Sequence, residues 1–469
     1  MTLKAFDLNS VLNPLATRPG LIELCGHRIA LPGVLSHEPL LRGCNQHAWL
    51  ERLVGLGIRH LIVPVNGREE DTCLYARRHP NRPPGTSGQA SAVYDLERRD
   101  EGFFARLKFL LDAAGEIGVM IGLSLFSVTS AAMAGPLRQG ANLQGLSFEN
   151  VLHATDRQAT TEKDNLEASL NIAVDWIATE VRGRPAVWIE IFRGLAPVEG
   201  SLLNQSEKRL ALRIATVLGR SSVDSKKAQG GPWVATPPGF LAETGAAHIA
   251  PFSVQRGDSP ELKGVLLPSI EASQWCEDDV FAVEELSRVV RRPSIFRLSG
   301  SRKNAMRFRA SDRATLWRGA MRGIWPIVPG GFNVSHVLPS TEAPRSWIYL
   351  AQLATFAKQW VGHGFLRACP ELLALMPREA YASGRLGAAT DGCGRYFVYS
   401  SGQTKEGLVV STFPGSYRYY WFDPASGRGL DRGDGLDGGT GCEIPGPGGA
   451  SEAVLILEQE ELPDPLSVW

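Results

Sequence analysis

Between Arg291 and Arg322 the chain carries ten basic residues, Arg291, Arg292, Arg297, Arg302, Lys303, Arg307, Arg309, Arg313, Arg318 and Arg322, against a single acid, Asp312. Guanidinium and ammonium groups at that density can hold an anionic partner: a protein with an acidic face, phospholipid headgroups or a polyanionic glycan. The expected docking patch is Arg291, Arg292, Arg302, Lys303, Arg307 and Arg309. The competing reading is a solvated loop and helix whose counter-charges come from elsewhere in the fold. Nucleic acid is not expected, because the stretch has few aromatics for base stacking and no recognised binding motif. The nine histidines show neither H-x-x-x-H nor H-E-x-x-H spacing, so no metal site is expected. No GxGxxG joins a strand to a helix, GxxxxGK[ST] and GxSxG are absent, and no cofactor is expected. Trp233 and Trp275, beside Gly, Pro and acidic residues, are candidate ligand-stacking platforms, whereas Trp188 alternates with apolar neighbours and reads as core.

These groups must be positioned by a large fold. A chain of 469 residues and 50.9 kDa can bury roughly three quarters of the surface its unfolded form exposes, so no staples are needed. Lys+Arg and Asp+Glu both number 49, which removes any global electrostatic argument for a nucleic-acid coat protein or an acidic solvating tail. Apolar runs such as 119–128 fall short of the roughly 18 residues needed to cross a bilayer. Met1–Pro19 places Asp7, Asn9 and Asn13 where an export signal needs an apolar stretch, so a cytoplasmic location is expected. Seven cysteines without CxxC pairing point to thiols in a reducing compartment rather than to a disulfide framework.

Helix-period segments alternate with short apolar runs through the first three quarters: His47–Leu56 then Gly57–Val65, Glu101–Ile117 then Val119–Phe126, Glu162–Arg182 then Ala186–Phe192. That order implies parallel strands covered on both faces. Trp233–Thr236, His248–Val254, Pro293–Leu298 and Gly323–Val328 extend the count towards eight, with helices expected at Asp278–Val290, Ser311–Arg322 and Ser346–Leu375. Beyond Met376–Pro377 the period changes to β-rich pieces at Gly394–Ser400, Gly407–Phe413, Tyr417–Asp423 and Ala453–Glu458. They read as a small antiparallel sandwich, with Gly427–Gly449 as an exposed loop.

The segments YDLERRDEGFFARLKFLLDAAGEIGVMIGLSLF (Tyr94–Phe126), the helix with WIEIF (Leu166–Phe192), RATLWRGAMRGIWPIVPGGFNV (Arg313–Val334) and YRYYWFDPASGR (Tyr417–Arg428) occur in a telling order. In that order the chain resembles the cellulase-like (β/α)8 glycoside hydrolases with a C-terminal β-sandwich, including the apiosidase-like and collagen-binding-domain group. The resemblance covers most of the chain. It implies an α/β fold: a (β/α)8 TIM barrel with an N-terminal extension over 1–376, followed by a small antiparallel β-sandwich over 377–469. Such enzymes carry an acid/base beyond strand four in a pattern like E-I-x-N-E and a nucleophile on strand seven in a pattern like D-E-T-G. Here the first stretch reads Glu190-Ile191-Phe192-Arg193-Gly194, and the second reads Arg297-Leu298-Ser299-Gly300. Gly194 and Leu298 stand where the two carboxylates belong, and arginines stand beside both.

The expectation is therefore a catalytically inactive glycosidase-like protein that serves as a structural, scaffold or binding subunit. Arg193, Trp233, His248, Trp275 and Arg297 are its candidate binding residues. The alternative is an active glycoside hydrolase acting on an unidentified glycan through relocated carboxylates, with Glu190 and Glu271 as the pair. Against that stand blander readings: Glu190 as a buried hydrogen-bonded acid, Glu271, Asp278 and Asp279 as loop acids capping a helix, and His248 as a structural residue opening a strand.

Overall fold

The computed structural model describes residues 23–24, 27–28, 32–65, 72–78, 93–127, 135–148, 157–181, 184, 187–193, 233–236, 266–272, 294–298, 310–321, 324–329, 345–361, 366–376, 386–391, 394–402 and 407–460. Eight parallel strands close into a barrel: β1 Gly33–Leu35, β2 His60–Pro64, β3 Met120–Ser127, β4 Val187–Arg193, β5 Trp233–Thr236, β6 Leu266–Ala272, β7 Ser294–Leu298 and β8 Ile324–Pro329. Each pairs with the next in the chain, and β8 returns to β1 with Ile327 against Gly33. A strand covered on both faces needs apolar residues at consecutive positions, and Leu61, Ile62 and Val63 of β2 are all fully buried.

The helices begin and end at positions their sequences specify. In α1 (Gln46–Gly55) the Asn45 side chain accepts from the Ala48 N–H at 3.1 Å. In α2 (Glu101–Ile117) Asp100 accepts from the Phe103 N–H at 2.6 Å, satisfying a donor the helix leaves open. Phe103, Phe104, Leu107, Leu110 and Leu111 of α2 turn inward at helical spacing. Next come α3 (Arg157–Val181), α4 (Ala310–Ala320) and α5 (Arg345–Trp360). Among the described residues no helix is long and apolar enough to cross a membrane.

The C-terminal region is antiparallel. A six-stranded sheet runs in the order Arg367–Ala368, β9 (Leu386–Thr390), β10 (Arg395–Ser401), β15 (Glu452–Gln459), β12 (Gly415–Asp423), β13 (Arg428–Gly438). A two-stranded sheet joins β11 (Leu408–Val410) to β14 (Cys442–Ile444). The first strand of the larger sheet precedes Met376, so this sheet begins upstream of the expected change of period. Alternation along β10 splits its two faces. Tyr396 and Val398 enter a core with Leu408, Val410, Trp421 and Leu455, while Phe397 and Tyr399 join the barrel's own apolar cluster with Phe422, Val454 and Ile456. There Trp317 of α4 meets Phe356 of α5 edge-on at 5.0 Å and Phe422 at 5.7 Å, and Phe356 meets Phe397 at 5.6 Å.

Several expectations need correction. The glycine-rich stretch expected as a loop is largely the strands β13 and β14. Gly433 stands opposite Tyr419 of β12, and a Cβ there would overlap the tyrosine ring, so the aromatic partner supplies the cover that glycine lacks. The helix expected over Ser346–Leu375 ends at Trp360 and gives way to a short strand and a 3-10 turn, Pro370–Leu373. Glu271 lies in β6, within a segment expected as a loop, because Pro268 and Glu271 interrupt its apolar run. The expected strand His248–Val254 and helix Asp278–Val290 lie outside the described residues.

The shared core carries a prediction. Phe397→Ala removes a fully buried ring from the cluster common to barrel and sheet. It should cost about 3–5 kcal/mol, read as a lower denaturant midpoint in one transition that near-UV and far-UV circular dichroism report together.

Candidate barrel-rim site

In a parallel barrel, functional groups gather at the ends where the strands finish, and the backbone register fixes which residues stand level. Glu190 is mid-strand in β4, registered between Ser124 of β3 and Ala235 of β5. Arg193 ends β4, opposite Ser127. Trp233 opens β5 opposite Trp188, at the start rather than the finish of its strand. Glu271, next to last in β6, registers against Arg297 of β7, and Arg297 in turn registers against Ile327 of β8. His248, Trp275, Arg291, Arg292, Arg302, Lys303, Arg307 and Arg309 lie outside the described residues.

These pairings set the two candidate acids apart. Ala235 is level with Leu267 of β6, so Glu190 stands two strands across from Glu271 and four residues lower. With strands about 4.8 Å apart and about 3.3 Å per residue, that puts their Cα positions on the order of 15 Å apart over the unrolled sheet. Carried three residues up β4, the same register makes Arg193 level with Ile270. The acid nearest the strand ends, Glu271, thus has an arginine position beside it on β7 and another two strands away on β4.

Part of the rim is built by connections that the sequence reading did not single out. After β1, the Ser36 N–H donates to the Ile62 carbonyl at 2.9 Å, and Glu38 follows as a buried acid that accepts from the Trp49 indole at 3.4 Å. The signal for Glu38, an acid just past a barrel strand, was hidden because β1 is only three residues long. After β2 comes a hairpin of Tyr75–Arg78 against Val93–Arg99, and after β3 the segment 135–148 docks on it. Tyr94 and Asn142 form a bridge, the buried Asp95 is held by Arg78 at 3.3 Å and accepts from the Gln144 amide at 3.0 Å, and Arg77 lies over the Tyr94 ring at 5.4 Å. The buried Asn142 amide donates to the carbonyls of Pro136 and Leu146, both at 2.7 Å, and its oxygen accepts from the Leu146 N–H at 2.9 Å. Three bonds from one side chain close this turn.

Two members of the basic run are described with their side chains. Arg313 is engaged by Glu452 of β15, and Arg318 bonds the Ala314 carbonyl and the Thr315 hydroxyl on its own helix. The nearby positive charge at Arg313 is thereby answered from within the fold. Cys44, Cys73, Cys369 and Cys442 are thiols outside any disulfide. Burial pushes the Cys44 thiol up to about 11, with Glu38 adding to it, and the Cys73 thiol up to about 12, so neither is a thiolate nucleophile near neutrality. Among the described residues no group of three or more His, Cys, Asp or Glu is placed to hold a metal ion.

The fold has well-defined relatives among solved structures. A protein described as a glycoside hydrolase matches at 12% identity and TM-score 0.53, covering 93% of this chain and 94% of its own. A family 5 glycoside hydrolase from Bacteroides vulgatus ATCC 8482 matches at 12% identity and TM-score 0.52, covering 91% and 89%. No family model and no curated protein matches the chain. The structure is thus a (β/α)8 TIM barrel followed by a β-sandwich, a fold it shares with these glycoside hydrolases.

The closure of the 135–148 turn is testable. Asn142→Ala strands two carbonyls and one N–H in a buried place and should lower stability by about 1–3 kcal/mol. The measurements are the denaturation midpoint and faster limited proteolysis within 135–148.

Proposed function

We propose that the chain is a glycosidase-like barrel that has lost both catalytic carboxylates and serves as a non-catalytic structural or binding subunit. The observation that carries this reading is the identity of two strand ends. Val187–Arg193 is the fourth barrel strand and Ser294–Leu298 the seventh. Gly194 follows the former and Leu298 closes the latter, at the places where the resembling enzymes carry acid/base and nucleophile. Cleavage of a glycoside passes through an oxocarbenium-like state, which needs nearby carboxylates and is opposed by guanidinium charge. Arg193 and Arg297 bring that charge to the two strands that should supply the opposite sign.

The same groups suit recognition of an acid. Arginine holds carboxylate, sulfate or phosphate through paired N–H donors, so Arg193 and Arg297 are assigned to ligand binding, with Trp233, His248 and Trp275 as further candidates. Arg291, Arg292, Arg302, Lys303, Arg307 and Arg309 would then dock an acidic partner surface or a polyanionic glycan. A second reading, hydrolysis by relocated carboxylates, draws support from Glu271, which sits on a barrel strand rather than in a loop. Its separation from Glu190 and its register partner Arg297 weigh against it.

The test is a panel of aryl-glycosides on the purified protein together with a pull-down from native extract at low and high salt. We expect no turnover above a buffer blank, and a partner released as salt rises. Turnover that is lost in Glu190→Gln or Glu271→Gln would establish the enzyme reading instead. In the binding reading, Arg297→Glu and Arg302→Glu should each weaken association at least several-fold, measured by titration against the captured partner.

A further inference from the structure

Helix α4 is gripped by the C-terminal sheet at three places. At its start, Arg313 Nε and Nη2 donate to Glu452 Oε2 at 2.9 and 2.5 Å, and Tyr399 Oη donates to Glu452 Oε1 at 2.7 Å. Both carboxylate oxygens are therefore used. The guanidinium also lies over the Tyr349 ring of α5 at 4.9 Å. The two charged side chains are 12% and 9% exposed, so the pair is largely dry. Midway, Trp317 packs on Phe422. At the far end, β9 comes so close that a Cβ on Gly387 would lie 3.2 Å from the Met321 Cβ and 3.7 Å from the Arg318 carbonyl oxygen. On its other side α4 packs against β8.

A module that merely tethers a ligand near a barrel needs only a linker and a wet, polar contact. A desolvated ion pair needs the opposite. Once out of water, each charge depends on the other and on every remaining hydrogen bond, so the pair persists only while the two surfaces stay closed. Here the carboxylate comes from the sandwich, the guanidinium from the helix linking β7 to β8, and the third donor, Tyr399, from a second strand of the sandwich.

We propose that the C-terminal sandwich is a brace for the β7–β8 sector of the barrel: Glu452 and Tyr399 fix α4, and α4 holds β8 in the closing pair with β1. The proposal concerns the sandwich and stands whether or not the barrel turns over a substrate. It assigns Glu452 and Tyr399 as positioning residues acting through Arg313.

The test is hydrogen exchange on the full-length chain, read peptide by peptide. Glu452→Gln keeps the shape but removes the charge, and Tyr399→Phe removes one donor. Both should speed exchange in Ala310–Ala320 and Ile324–Pro329 by about tenfold or more while Arg157–Val181, between β3 and β4 on the far side of the barrel, keeps its parent rate. Glu460→Gln, which breaks the exposed Arg418–Glu460 pair of the same sheet, should leave α4 and β8 unchanged. Faster exchange confined to β10 and β15 would overturn the brace, and so would an equal rise in Arg157–Val181, which reports loss of global stability. Should Glu452→Gln fail to fold, Tyr399→Phe decides by the same criteria.

Discussion

Parallel pairing around the barrel is the constraint on which every reading of this protein's site depends. A ladder of evenly spaced hydrogen bonds leaves no freedom in which residue stands level with which, so the pairs Glu190 with Ala235, Thr236 with Pro268 and Glu271 with Arg297 fix the strand-end geometry together. From them it follows that the two candidate acids occupy different levels, while Arg193, Ile270 and Arg297 fall within one residue of a common level. A slip of one residue would exchange the inner and outer faces of a strand, which a wall covered on both sides by apolar packing resists.

The barrel's outer layer completes that constraint in an unusual way. Helices α1 and α2 are capped and buried as barrel helices generally are, with one apolar face inward. Helices α4 and α5 are covered a second time, by the inner face of the C-terminal sheet. Phe397, Tyr399, Phe422, Val454 and Ile456 are therefore as much part of the barrel's packing as Leu61 or Val63. Such packing explains why a buried carboxylate at Glu452 is tolerated in an apolar seam: its two oxygens have partners from both sides, and neither could be removed without leaving a charge unanswered.

The elements legible in the sequence were those whose signal is local. The apolar period of α2 gave that helix to the residue, and β4 and β7 were read to within one position of their ends. What stayed hidden depends on distant partners. β1 is too short to show alternation. β6 carries Pro268 and Glu271 inside an apolar run. β13 is strand because Tyr419 lies across from Gly433 and the Tyr417 ring covers Gly438, information that resides in β12. Of the site, Arg193, Glu271 and Arg297 could be singled out, but not that Glu271 and Arg297 are register neighbours, nor that Glu38, Asp95 and Asn142 shape adjoining connections.

The basic run makes the same point about charge. Read along the chain, ten bases against one acid look like a surface in search of an anion. In the fold, Arg313 is answered by a carboxylate 139 residues away, and Arg318 spends its donors on its own helix. A linear count of charge therefore overstates the free field, because it cannot see counter-charges that a second folded layer brings in. Only the members that remain unanswered after folding can attract a partner. Arg313 is thereby part of the seam between α4 and the C-terminal sheet, and not of a free basic surface.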